Sequence, residues 1–214
     1  ALMVPRRLNV TSGRQLNGAT VCVQPGTTTE LNISDFFRAN NIRFTPVVIA
    51  DLDEIRRAYD SGRCDVFTND FAALAAQRTL LTRPADHVIL PERLSKEPLA
   101  VTLRQGDEEL TNIVAWTTFA LIDAEELGIT QANVEQIATS STNPVIRRLL
   151  GVEGNMGESL GAARADYVRQ IIRTFGNYGE IFERHLGTNT PLGLERGMNN
   201  IWTRGGLLYA PPAR

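Results

Sequence analysis

A short β-branched run that breaks on proline and glycine and then opens a helix sets most of what this chain can become. In Ala19-Thr-Val-Cys-Val-Gln-Pro-Gly-Thr-Thr-Thr-Glu30 the apolar part is brief, bounded and valine-rich, which favours a buried parallel strand over a helical segment. Gly26 can adopt backbone conformations closed to other residues, and Thr27, Thr28 and Thr29 offer N-caps for a helix running to about Asn40. The first N–H groups of a helix have no partner within it, so they and the threonine hydroxyls point at whatever lies beyond the strand's end. An anion fits there, a carboxylate included. The loop lacks the lysine of a phosphate-cradling loop and the glycine spacing of a dinucleotide fingerprint, so taken alone it is explained by plain helix capping.

The same grammar recurs downstream. Phe44 to Ala50 reads as a second strand with Pro46 at its start, where a missing N–H matters least. Asp51 with Glu54 resembles a capping box, and Leu52, Ile55, Ala58 and Tyr59 share one helical face up to Gly62. Cys64 to Asp70 is a third strand with a polar tip, Phe71 to about Leu81 a third helix, and His87 to Leu90 a fourth strand. Before all of these, Ala1 to Val4 is already apolar and strand-like, as if the chain begins in mid-structure. Pro5-Arg-Arg breaks that run, and Ser12 to Leu16 is a short connection or single helical turn.

Strands alternating with helices at this spacing predict parallel βαβ units with right-handed crossovers. Ligands of such sheets sit outside the carboxyl ends of the strands. The first of these strands ends at Gly26 to Thr29 and the third at Asn69 and Asp70, so the two tips should share one rim. One tip offers backbone donors and hydroxyls suited to a carboxylate, the other a carboxylate suited to an ammonium. An α-amino acid has both groups.

Composition narrows the alternatives. The 214 residues allow one large domain or two small ones. With 22 basic and 24 acidic residues well mixed, net charge −2, there is no basic field for nucleic acid. No apolar run reaches the roughly 20 residues of a bilayer crossing, which predicts a soluble chain. No signal peptide is evident, so the compartment is not legible from a targeting segment. Cys22 and Cys64 are too few for a disulfide scaffold or a metal cluster. A bridge between them is open to geometry if their strands are neighbours and would suit an oxidising compartment, whereas two buried thiols account for the spacing equally well.

Cys22-Val-Gln-Pro-Gly-Thr-Thr-Thr-Glu30, Gly62-Arg-Cys-Asp-Val-Phe-Thr-Asn-Asp70, and Val88-Ile-Leu-Pro-Glu92 with Ser95-Lys-Glu-Pro-Leu99 together resemble the extracytoplasmic solute-binding proteins of polar amino acid ABC importers, most closely their general L-amino-acid branch. The likeness continues through Arg104-Gln-Gly-Asp107, Ala124 to Asn133, Gly176-Asn-Tyr-Gly-Glu-Ile-Phe-Glu183 and Gly205-Gly-Leu-Leu-Tyr-Ala-Pro-Pro212, nearly the whole chain. The resemblance implies an α/β fold of the type II periplasmic-binding-protein kind, a two-lobed clamp with the amino acid at the hinge. Residues 1–98 would form the second, βαβ lobe and 99–214 the mostly helical segment that returns to complete the first. Gly26 with Thr28 would hold the ligand carboxylate and Asp70 its ammonium, with Gln24 and Thr29 shaping the pocket. Family members carry roughly a hundred residues ahead of the equivalent of Ala1, the scale of a small domain, which build most of the first lobe. The chain is therefore expected to be a truncated form whose precursor has a signal peptide, periplasmic, with an inner-membrane permease as partner and no cofactor, metal or nucleic acid.

The second half fits on its own terms. Leu99 to Arg104 reads as a strand, and Asp107 to about Leu127 as a long helix with Leu110, Ile113, Val114, Thr117 and Leu121 inward, closed by Gly128. Asn133 to Ala138, Val145 to Leu150 after Asn143-Pro144, Ala162 to Phe175 with a resumption through His185, and Leu192 to Trp202 are further helices. Such apolar faces, with hardly any sheet to cover them, suggest contact with missing residues or with a second copy of the chain. His87 and His185 read as satisfied or solvated, Glu108-Glu109 and Glu125-Glu126 as charged helix faces, Trp116 and Trp202 as packing anchors, and Gly154-Asn-Met-Gly157 as a loop. No acid–base pair, metal spacing or nucleophile elbow stands out, which favours binding over an amino acid-converting enzyme on the same fold. A ligand-sensing domain would call for a fused DNA-binding or membrane segment that these residues do not contain.

Overall fold

The structure, a computed structural model, describes residues 1–162 and 164–213 and divides into two compact units, residues 1–99 and 100–214. The first unit is a five-stranded sheet between helical layers. Its strands are β1 (Leu2–Pro5), β2 (Thr20–Val23), β3 (Thr45–Val48), β4 (Val66–Thr68) and β5 (His87–Ile89), in the order β3-β2-β4-β1-β5. Its helices are α1 (Thr28–Ala39), α2 (Leu52–Asp60) and α3 (Phe71–Thr79).

The valine-rich runs are strands because both faces of the sheet are covered, and the alternation of side chains sorts them into two cores. Leu2, Val4, Val21, Val23 and Val66 pack with Ile33 and Phe37 of α1. Met3, Cys22 and Phe67 face the other way, onto Ile55, Ala58 and Tyr59 of α2 and Leu74 of α3. Pro46 is the second residue of β3, an edge strand bonded only to β2, where its absent N–H leaves no ladder broken on the outer side.

The sheet is mixed, which corrects the all-parallel expectation. β2 runs parallel to β3 and β4, but β1 lies antiparallel between β4 and β5, with Met3 opposite both Phe67 and Ile89. Alternation of apolar residues records burial, not chain direction. The link from β1 to β2 holds two 3-10 turns, Arg6–Leu8 and Gly13–Gln15, in place of a crossover helix. Cys22 and Cys64 form a disulfide, Cα to Cα 5.6 Å, tying β2 to the residue pair ahead of β4.

The second unit is helical: α4 (Glu108–Glu126), α5 (Val134–Ser140), α6 (Pro144–Leu149), α7 (Met156–Ser159), α8 (Tyr167–Phe175) and α9 (Tyr178–His185). Ala120, Ala124, Ile129, Val134, Leu149, Leu150, Val168 and Ile172 make its main core. Asn143 caps α6 as the Asn143-Pro144 pair predicts, accepting from Val145 N–H; Asp107 accepts from Leu110 N–H, and Asn177 makes a full capping box with Glu180. Gly128, at φ 69°, closes α4 with Ile129 N–H returning to Ala124 O.

Several expectations fail here. Residues 99–104 form no strand; Leu99 and Val101 are 80% and 68% exposed, and no described residue gives them a ladder partner. Of the expected inner face of α4, Leu121 packs on the main core and Thr117 lies beside Val168 and Ile171, but Leu110 is 42% exposed; Ala120, Ile122, Ala124 and Glu125 are the buried positions. Leu192 to Trp202 is not a helix, because Gly193 and Gly197 take left-handed conformations that a right-handed helix cannot contain; only 3-10 turns remain at Gly197–Asn199 and Trp202–Arg204. α8 starts at Tyr167, not at Ala162, and residue 163 of that stretch lies outside the described residues. Met156 and Gly157 open a helical turn instead of lying in a loop. Trp202 is half exposed and no packing anchor.

Candidate functional site

The carboxyl ends of β2 and β4 are neighbours, so the loop after β2 and the tip after β4 meet on one rim. Between them lies a notch of about 50 Å³ lined by Gln24, Thr27, Thr29, Thr68 and Asn69, floored by Leu52, Ile55 and Phe67. Gln24 and Thr29 are thus brought together with Asn69. Gly26, Thr28 and Asp70 flank the notch without lining it.

Local chemistry fixes each of these groups. Gly26 sits at φ 70°, a conformation glycine adopts without strain, and this turns the chain from β2 into α1. Thr27 is the cap: its hydroxyl accepts from Glu30 N–H at 3.3 Å and donates to Gln24 O at 2.8 Å. The Thr28 and Thr29 N–H groups, first in the helix, have no partner within it. Gln24 Nε2 donates to Ala50 O at 2.7 Å, joining the ends of β2 and β3. Gly26 N–H donates to Glu30 Oε2 at 2.7 Å, so a carboxylate of the chain itself already occupies one of the loop's donors. Sequence reasoning had not assigned that role to Glu30; the four-residue spacing from Gly26 was its only trace.

Asp70 occupies the N-cap position of α3, yet its carboxylate makes no capping hydrogen bond. Asp70 N–H is taken by Asn69 Oδ1 at 2.8 Å, which shapes the tip and leaves the Asp70 carboxylate half-buried beside it. The rim therefore combines helix-start donors, threonine hydroxyls and a carboxylate that makes no capping bond and whose charge acts on the Ala1 ammonium. A notch of about 50 Å³ has room for one small polar group, far below the roughly 300–1,000 Å³ of pockets that enclose a whole ligand.

Elsewhere, ionisable groups serve the fold. His87 is buried with Nδ1 2.8 Å from Tyr59 OH; burial holds the imidazole below its usual pKa and pushes the phenol up. Glu125 is not a charged helix face. It is buried, receives both terminal nitrogens of Arg196 at 3.0 and 3.1 Å, and accepts from Arg204 at 3.2 Å. Among the described residues no group of three or more His, Cys, Asp or Glu could hold a metal ion, and no helix is long and apolar enough to cross a membrane.

No family model matches the chain. It is 52% identical over 212 residues to the glutamate/glutamine/aspartate/asparagine-binding protein BztA of Rhodobacter capsulatus, covering 99% of this chain and 62% of that protein. To the general L-amino acid-binding periplasmic protein AapJ of Rhizobium johnstonii it is 51% identical over 214 residues, again covering 99% and 62%. The chain thus spans about 62% of the length of these relatives, both of which are named for binding. Among solved structures, an ABC transporter periplasmic binding protein from Brucella ovis with glutathione bound superposes with a TM-score of 0.94 at 50% identity, covering all of this chain and 67% of that one. On this identity, coverage and superposition, the chain belongs to the periplasmic binding proteins of ABC transporters.

Proposed function

We propose that the protein binds L-amino acids in the periplasm and delivers them to the permease of an ABC importer, making and breaking no bond. The observation that supports this reading is the rim: the start of α1, with Thr29 in the notch and Thr28 next to it in the chain, and Asp70, next in the chain to Asn69 of the notch, follow the neighbouring strands β2 and β4. The ligand carboxylate sits at Gly26, Thr28 and Thr29, and the ammonium at Asp70. Support comes from the relatives, whose names specify amino acids, and from the glutathione-bound neighbour, since glutathione carries a free α-amino acid end.

Residues 1–98 act as one lobe and 99–214 as the returning part of the other. The ligand would shift an open–closed equilibrium by its preference for the closed state. The 214 residues present one wall of the site, and exposed charge contacts contribute only about 0–1 kcal/mol each. Micromolar affinity needs about 8 kcal/mol, so this chain alone binds weakly. A second copy covering exposed apolar residues such as Leu207 and Tyr209 is an alternative source of a complete site.

The test is calorimetric titration with a panel of L-amino acids, with molar mass measured in the same buffer, on these 214 residues and on a protein of the relatives' full length. Binding by the longer protein that Asp70→Ala abolishes supports the assignment. Tight binding indifferent to Asp70→Ala refutes it.

A further inference from the structure

At the end of the first unit's sheet opposite the amino acid rim lies a second, larger cleft of about 580 Å³. Its place follows from the sheet's mixed direction: β1 runs antiparallel, so its last residue, Pro5, pairs with His87, the first of β5. The cleft is walled by the Arg6–Leu8 turn, the C-terminal end of α2, and the Thr82–Asp86 segment ahead of β5. Tyr59 and His87, joined at 2.8 Å, line it.

Three arginines and two aspartates face this space, and their bonding is unequal. Both aspartates are committed. Asp60 takes Thr82 N–H at 3.1 and 3.3 Å and the Thr82 hydroxyl at 2.7 Å, and Asp86 pairs with Arg83 at 3.3 Å. Arg6 is anchored through Nε to Ala85 O at 2.9 Å, a bond that leaves its two terminal nitrogens to the cleft. Arg7 makes no hydrogen bond or ion pair among the described residues. Its charge nevertheless reaches inward: burial dominates at both groups, and Arg7 adds to the lowering at His87 and partly opposes the rise at Tyr59. A guanidinium offers a fork of donors matched to phosphate and carboxylate oxygens, and two such forks beside hydroxyl and imidazole groups form a polar cradle.

We propose that this cleft binds a small phosphate-type oxyanion, held by Arg7 and Arg6 with Arg83 at its edge. The site is separate from the amino acid rim and does not depend on that reading. The shared chemistry is the phosphate group, whether free or on a lipid headgroup.

The test is titration of the chain with inorganic phosphate at constant ionic strength, following the His87 ring resonances by NMR. Saturable shifts are expected, with a rise in the His87 pKa as the anion offsets the neighbouring guanidinium charges. Arg7→Gln, an exposed and unbonded position, should weaken the apparent affinity at least tenfold, and Arg83→Gln should weaken it less. Cosedimentation with phosphatidylglycerol vesicles, against phosphatidylcholine alone, separates the sources: vesicle binding lost in Arg7→Gln assigns a lipid headgroup, and phosphate shifts without vesicle binding assign a free anion. Shifts no larger than those of an equal chloride increment, or shifts that survive Arg7→Gln unchanged, overturn the proposal. Binding of an acidic peptide with no response to phosphate overturns it as well.

Discussion

Replacing Glu125 by Ala isolates what holds the C-terminal segment to the second unit. The Glu125 and Arg196 side chains are 5% and 9% exposed, and the pair is bidentate. The Arg196 guanidinium also lies 5.4 and 5.1 Å from the ring centroids of Tyr178 and Phe182. Removing one partner of a buried pair strands the other charge, which costs about 3–5 kcal/mol. At roughly 4 °C per kcal/mol for a unit of this size, the transition should fall by about 12–20 °C. Both tryptophans, Trp116 and Trp202, belong to this unit, so tryptophan fluorescence reads its melting alone. Arg204→Ala, at a side chain 60% exposed, should change stability by only about 0–1 kcal/mol. Gly179 supplies an internal check, because a Cβ there would meet the Glu125 carboxyl carbon at 2.7 Å. Gly179→Ala should therefore be destabilising in the native background and nearly neutral once Glu125 is alanine. A loss below about 1 kcal/mol for Glu125→Ala, or strict additivity with Gly179→Ala, would refute the reasoning.

Replacing Cys22 and Cys64 together by alanine opens a loop of sequence separation 42 and should cost the first unit roughly 4 kcal/mol by chain entropy, read by denaturant unfolding on that unit's methyl NMR signals; an unchanged midpoint would show that the bridge does not constrain the unfolded chain. One buried group in each unit should respond to acid in the opposite way to the other. His87 has its folded pKa held below 6.5, so the unfolded chain binds more protons and the first unit loses stability as pH falls below that value. Asp123, pushed up to about 6 by burial and by neighbouring Glu126, binds its proton more tightly when folded, so its contribution makes the second unit more stable as pH falls from 6 towards 4. Asp123→Asn should abolish that gain in melting curves taken across this range, and a gain that persists in the variant would sink the assignment. Glu30→Gln, which weakens the carboxylate's hold on Gly26 N–H, should raise amino acid affinity in the full-length protein by calorimetry, and a weaker or unchanged affinity would mean that Glu30 does not compete with ligand.

The sequence by itself determined the elements whose causes are local. The strand after Ala19 is legible because valines at consecutive positions suit a sheet covered on both faces. The helix starts at Thr27, Asp51 and Asn143 each carry a side chain that satisfies an otherwise unpaired N–H. The same local causes put Gln24, Thr29 and Asn69 at strand ends and helix starts, whereas their meeting around one notch depends on β2 lying beside β4. Only the tertiary structure decided what depends on partners far along the chain. The direction of β1 is set by the free edges of β4 and β5, and the closing of Cys22 onto Cys64 by the adjacency of β2 and β4. The burial of Glu125 required an arginine 71 residues away, a separation at which neither periodicity nor charge pattern leaves a mark. The failure of residues 99–104 to become a strand has the same origin: a strand's hydrogen bonds are made to another strand, so apolar alternation without a neighbouring edge leaves Leu99 and Val101 in solvent.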